Sequence, residues 1–404
     1  MLASKTLLLL LTLLGFSFSG GLTLAQNVIP TNPSLLDLPA QPHPNIPLIN
    51  RPLTPLERRQ LGESLDAMNS QAQALLNQGK ETEAFNIWYE ELRLRRYLGL
   101  LSETEALGRV GAVAWNRTRT EDVRIITQRL REIQQQAEIE NTLQGELLNA
   151  LATSYEQLHS LDDILSMYQK LLETARATGD LTTQESLLSK IGQVYLSRFD
   201  YSQAAPVYEE LLKMAQGRGD SLQEGIYLQK LAQIYSEALQ PQNAVKIKES
   251  LVDNYLKTQK VKAIPDLKIL IGIDYEALKE LEKASQNYQE AYSLAWALQQ
   301  YGISGEALKK LGELYQKNQQ EDYALQIFQE LIKVEQKGYN YYGLMNTYDK
   351  IGDIYRNKKN YSEAISAFQK GLELARSIGY QENYFINKIN QTNQQINNPE
   401  TPPK

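Results

Sequence analysis

The sequence predicts an all-α solenoid of about eight helix-turn-helix units, and three observations lead there. Tyr155, Tyr195, Tyr235, Tyr275, Tyr315 and Tyr355 stand forty residues apart. Three residues before each, and before Leu75 and Trp115 in the same register, lies a small residue: Ala72, Ala112, Ala152, Gly192, Ala232, Gly272, Gly312 and Gly352. Nine residues after the tyrosine position stands alanine in six of eight units: Ala84, Ala204, Ala244, Ala284, Ala324 and Ala364, with Arg124 and Ile164 completing the series. A fixed period of this length marks stacked supersecondary units, each burying its apolar face only against its neighbours.

The 404 residues would otherwise suggest two or three domains, but a solenoid grows in one dimension. At the N-terminus, Lys5 and the apolar run Thr6 to Leu14 precede a Ser/Gly-rich stretch and the small-residue site Thr23-Leu24-Ala25. This is the pattern of a secretory signal over residues 1–25, with a run about half the length a spanning helix needs. An uncleaved anchor is the competing reading. With no cysteine, a lipoprotein anchor and disulfides are both excluded.

Residues 26–55 carry eight of the fourteen prolines, so they are expected to form an extended, largely unpacked linker. Solenoid residues 56–380 follow. In the clearest unit, Leu188, Ile191, Gly192 and Tyr195 share one face of a first helix. Ser197 to Asp200 is the turn, and Ala204, Tyr208, Leu211, Leu212 and Ala215 stripe the second helix. Gly219 and Gly179 suit left-handed C-terminal positions, and Asp220 and Asp180 suit N-caps. Pro241 and Pro265 fit helix starts, whereas Pro206 predicts a late start at Ser202 or a local kink. Residues 381–404 read as a capping helix, with Phe385, Ile389 and Ile396 on one side, and a fraying tail.

Small residues facing large ones are how helices interlock at native density. Four residues beyond the alanine position comes a ring in most units: Trp88, Tyr168, Tyr208, Tyr288, Phe328 and Phe368. The pattern, as in Ile191-Gly192-Gln193-Val194-Tyr195 with Ala204 and Tyr208, resembles the tetratricopeptide repeat in a forty-residue variety. It recurs over residues 63–380, with the first two units degenerate. The resemblance implies a right-handed superhelix whose first helices line a concave groove.

Chemistry for catalysis is scarce. His43 lies in the linker and His159 in a turn, there is no cysteine, and no phosphate-cradling glycine loop or zinc spacing occurs. A non-enzymatic protein with no cofactor is therefore expected. The net charge of −6 argues against nucleic acid as the partner.

By the resemblance, groove side chains sit at −6, −2, +1 and +2 from the tyrosine. The candidates are Arg109, Arg117, Asn149, Thr153, Gln193, Gln229, Gln233, Ile269, Ile273, Lys309, Glu313, Asp349 and Asp353. Their middle is neutral and amide-rich. Ile269 and Ile273 form an apolar step that either anchors a partner or packs on the next helix. Charge runs from basic at Arg109 and Arg117 to acidic at Glu313, Asp349 and Asp353, which would orient a charged peptide unless it is simply a solvated face. The Lys/Asn carboxylate clamp of chaperone-binding relatives is replaced by Ser189, Gln193, Gln229 and Gln233, which argues against chaperone partners.

The expected function is an extracytoplasmic, periplasmic scaffold or assembly factor binding a protein or peptide in the groove. The signal, spacer and Gln/Asn-rich style resemble exported repeat proteins of oxygenic photosynthetic bacteria, some of which assist photosystem assembly and metal delivery. One alternative is a metal- or ligand-delivery factor using Glu306, Glu313, Asp349 and Asp353. A third is an envelope assembly protein holding glycan or a membrane-associated complex.

Overall fold

The computed structural model describes residues 35–44, 46 and 51–397. The signal segment 1–25 and the tail 398–404 lie outside the described residues. Within them run seventeen α-helices and no strand. The chain divides into two compact units, residues 1–160 and 161–404.

The first unit holds α1 (Pro55–Asn77), α2 (Glu81–Arg95), α3 (Leu100–Asn116), α4 (Thr120–Ile139) and α5 (Gly145–Gln157). Thr54 opens α1 with a reciprocal capping box to Glu57. Arg51 reaches the Glu57 carboxylate at 2.6 Å, and this bond with those from Thr54 holds the carboxyl near pKa 2. Far from being unpacked, part of the proline-rich segment docks on this unit. Leu36 is buried, Ala40 and Ile46 pack against Leu61, Leu65 and Leu94, and the backbone N–H of Gln41 donates to the Glu90 carboxylate at 2.7 Å. Proline stiffness lowers the entropy lost in that docking, so few contacts suffice. The degenerate second repeat is also packed differently. Ala112 is only half-buried; instead Gly108 and Gly111 let α3 approach Ser154 and Leu158 of the α5 segment.

The second unit holds α6 (Leu161–Thr178), α7 (Leu181–Ser197), α8 (Tyr201–Arg218), α9 (Ser221–Glu237), α10 (Pro241–Lys257), α11 (Ile264–Ala277) and α12 (Leu281–Ala297). It continues with α13 (Tyr301–Lys317), α14 (Glu321–Lys337), α15 (Tyr341–Asn357), α16 (Tyr361–Ile378) and the capping α17 (Glu382–Asn397). Asp180 and Asp220 cap α7 and α9, and Gly219 and Gly379 end α8 and α16 in the left-handed conformation. Helix α8 starts at Tyr201 and runs on through Pro206, so the late start is not adopted. In α17, Phe385 is fully buried but Ile396 is exposed; Thr392 takes the buried place, its hydroxyl satisfied by the Lys388 carbonyl at 2.7 Å.

The small-versus-ring rule holds here in atomic detail. A Cβ on Gly192, Gly272, Gly312 or Gly352 would meet the ring of Tyr208, Tyr288, Phe328 or Phe368 at 2.4–2.7 Å. Where the ring position holds Lys248 instead, the small position is Ala232. Lys248 is buried and pairs at 2.6 Å with Asp274, itself at a position that is Val194, Ile234, Leu314 and Ile354 in sister repeats. Desolvation raises the Asp274 pKa against the opposing pull of Lys248.

The tyrosines mark something more specific than core. Tyr155, Tyr235 and Tyr275 are buried, while Tyr195, Tyr315 and Tyr355 are half-buried. Each backbone carbonyl accepts the bond that closes the following turn, from Ser160, Asp200, Gln240, Glu280, Gln320 and Asn360, at 2.8–3.0 Å. That bond requires the intervening residue to turn left-handed. From Phe199 onward one residue in twenty does so: Phe199, Gly219, Leu239, Gln259, Lys279, Gln299, Gln319, Tyr339, Lys359 and Gly379, with φ of 53–69°. Most are not glycine and carry the Cβ penalty of that region. Leu239→Gly is therefore expected to raise stability by about 0.5–1 kcal/mol in urea unfolding, despite glycine's unfolded-state entropy. Leu239 is 86% exposed, so no packing is lost.

Candidate functional site

The candidate groove residues lie on the first helices α3, α5, α7, α9, α11, α13 and α15. The structure gathers several of them into depressions between successive first helices. In the first unit, Arg109, Asn149 and Thr153 line a hollow of about 640 Å³ with Glu105, Glu146 and Gln157. In the second unit, Gln229 and Gln233 line one of about 470 Å³ between α9 and α11. Lys309 lines a third, of about 210 Å³, between α13 and α15. Gln193 is exposed on α7, and Arg117 is exposed at the end of α3.

The apolar step needs correction. Ile269 is buried in the core with Leu267, Ile271 and Tyr288, so it is no anchor. Ile273 stays 38% exposed, and the residue facing outward beside it is Leu270, at 46%. Helix α11 reads Leu267-Lys268-Ile269-Leu270-Ile271-Gly272-Ile273, and in so apolar a run periodicity cannot separate the buried face from the open one. The hollow between α9 and α11 has Leu251, Leu267 and Leu270 as apolar wall and Gln229, Gln233 and Ser236 as polar rim. Tyr255 fixes Gln229 by accepting its amide at 2.6 Å.

The charge gradient is largely neutralised within each unit. Arg109 donates to the buried Glu91 at 2.6 Å, and Arg95 meets the same carboxylate at 3.0 Å. Burial still raises the Glu91 pKa against both guanidiniums. At the other end Lys388 of the capping helix bridges Asp349 at 3.2 Å and Asp353 at 2.7 Å, and Arg356 adds a second bond to Asp353. Glu313 pairs with Lys350 at 3.0 Å and Glu306 with Lys309 at 3.2 Å. Each of the four acids proposed for metal delivery is thus ion-paired to a lysine of the chain, Asp349 and Asp353 sharing Lys388. Among the described residues no group of three or more His, Asp or Glu is placed to hold a metal ion.

The two histidines serve packing and docking. His43 contacts the Ser64 hydroxyl of α1 at 3.1 Å, tying down the proline-rich segment. His159 stacks on Trp115 with ring centroids 4.5 Å apart. No described helix is long and apolar enough to cross a membrane.

Sequence reasoning missed Glu335, Thr347 and Gly343, which line the smallest hollow. The signal lay in departures from the period. The position of Glu335 is Ala175, Ala215, Ala295 and Ala375 in other repeats, all buried. That of Thr347 is Leu187, Tyr227, Leu267 and Ala307.

Residues 143–217 and 304–377 match the model of the tetratricopeptide repeat family. These two segments carry tetratricopeptide repeats, and helical hairpins in the same forty-residue register continue on either side of them. No curated protein matches its sequence. Among solved structures it is similar to the apo form of RapI, at 15% identity over 84% of this chain and 99% of that one, with a TM-score of 0.38. It is also similar to the MamA protein, at 20% identity over 48% and 92%, TM-score 0.35. Aspartyl phosphate phosphatase F from Bacillus subtilis is similar at 18% identity over 68% and 76%, TM-score 0.40.

Proposed function

We propose that the chain is an exported, non-enzymatic scaffold that holds an extended segment of a protein partner along its first helices, anchored between α9 and α11. One observation carries this reading. The α9–α11 hollow pairs exposed amides, Gln229 and Gln233, with an apolar wall at Leu267 and Leu270. Amides can bond a backbone, and an apolar pocket beside them can take a partner side chain. The repeat fold supports an interaction role. Export rests on the sequence pattern of residues 1–25, and an assembly role for envelope or photosynthetic complexes rests on resemblance of style.

The test is photo-cross-linking from position 233 in the extracytoplasmic fraction of the source cell, followed by identification of the captured chain. A discrete protein should be captured, and Leu270→Asp should cut capture at least about tenfold by burying a charge at the anchor. Gln286→Ala, exposed on the second helix α12, should leave capture unchanged. Recovery of glycan or lipid alone, or equal capture by the Asp variant, would refute the groove reading.

A further inference from the structure

We propose that the cavity between α13, α14 and α15 is a binding site for a primary alkylammonium, with Glu335 as its counter-ion. Three residues depart from the repeat at one point. Glu335 replaces an alanine that four sister repeats bury, and it is itself only 6% exposed. Thr347 replaces an aliphatic or aromatic residue and donates its hydroxyl to Glu335 Oε2 at 2.9 Å. Gly343 replaces Thr183, Gln223, Ala263 and Ile303, and a Cβ there would fall 2.4 Å from Glu335 Oε1. A Cβ at 343 would lie nearer still to the Asn340 side-chain amide, so the glycine leaves room for both that amide and the carboxylate.

A buried carboxylate normally has a cationic partner. Glu335 makes no ion pair among the described residues, and Oε1 receives no hydrogen bond from them. The cavity's two lysines are engaged elsewhere, Lys309 on Glu306 and Lys350 on Glu313. What remains is a pocket of about 210 Å³, with one unpaired carboxylate at its wall and Tyr301, Tyr342, Asn340 and Asn346 around it. That volume admits a short alkyl chain, and the aromatic and amide lining complements a CH₂ stem with an ammonium head. The pKa near 7, raised by burial, accords with an acid awaiting a cation. The ammonium would come from a free amine or from a lysine of the partner. The site stands apart from the groove reading, since a small amine reads it without any protein partner.

The experiment is calorimetric titration of the purified full chain at pH 8 with n-butylammonium chloride, and with an N-acetylated, C-amidated peptide containing one lysine. Potassium chloride is the control. Saturable one-to-one binding of either amine is expected, with at least about tenfold loss in Glu335→Gln, which keeps size and the Thr347 bond. Glu335→Ala, carrying the sister-repeat residue, gives a second variant should Gln misfold. Tighter binding of the peptide assigns the source to a partner lysine, and equal binding assigns it to free amines. Absence of saturable binding to the wild type, or equal binding by folded Gln and Ala variants, would overturn the proposal even if the groove captures a protein.

Discussion

Gly352→Leu is expected to unfold the C-terminal repeats, at a cost of about 3–5 kcal/mol, comparable to deleting the ring it faces. The Cβ alone would stand 2.4 Å from Phe368 Cε1 and 2.6 Å from Cδ1, and Phe368 is fully buried. The ring cannot simply rotate away, because Ala364, Ala375, Met345 and Phe385 enclose it in one cluster. Stability in stacked repeats is a sum of nearest-neighbour terms, so the damage should stay local. Hydrogen exchange should show protection lost across α15 to α17 while α7 to α10 keep theirs. Phe368→Ala alone should cost a similar amount. The pair Gly352→Leu with Phe368→Ala should cost well under the sum, because leucine then fills the vacated volume. Additive losses would mean that the glycine serves the backbone and not the ring.

The second large effect is on pH dependence. Burial lifts the Glu335 pKa from 4.5 to about 7, opposed by Thr347 and Lys309. The folded state therefore holds this proton more tightly than the unfolded state between those values. Stability from this group is greatest below pH 4.5, falls as pH rises toward 7, and is constant above it. The full drop is about 3 kcal/mol, and nearer about 2 kcal/mol once water enters the cavity. Urea unfolding at pH 5 and pH 8 measures it. Glu335→Gln keeps the bond to Thr347 but cannot titrate, so the variant should be relatively more stable at pH 8 by that amount. An unchanged difference between wild type and variant at the two values would show that Glu335 titrates normally.

How much was legible in the sequence follows from what repeats. The tyrosine register, the small positions and the rings gave helix pairing down to the partner ring, because a close approach recurring five or more times leaves its own record. The left-handed turns were legible only at Gly179 and Gly219; Phe199, Leu239 and Tyr339 hold the same conformation without the usual residue. Nor did the tyrosines reveal that their carbonyls close each turn, since a backbone bond has no side-chain signature. Of the candidate groove residues, some share hollows in the structure and others do not. Arg109, Asn149 and Thr153 do meet in one hollow, and Gln229 and Gln233 in another. Ile269 failed because a wholly apolar stretch has no face. The charge gradient failed because single charges in a sequence carry no record of their partners: Lys388 arrives from the capping helix, 35 residues beyond Asp353 and farther still beyond Asp349. Glu335 stands in the sequence as a break in an alanine series on second helices, outside the first-helix positions that carry the candidate groove residues.

The left-handed residue at every twentieth position has a consequence for how such a chain can lengthen or shorten. From α7 to α16, seven of the ten helices are seventeen residues long, and most are joined by a three-residue turn. Inserting or deleting twenty residues would keep the turn spacing yet exchange first and second helices downstream, moving the candidate groove positions to the other helix of each hairpin. Forty residues is the smallest change that preserves both geometry and sidedness. Gene duplication in this architecture is thus quantised by facing, not by folding, and whole hairpins are its natural currency of variation.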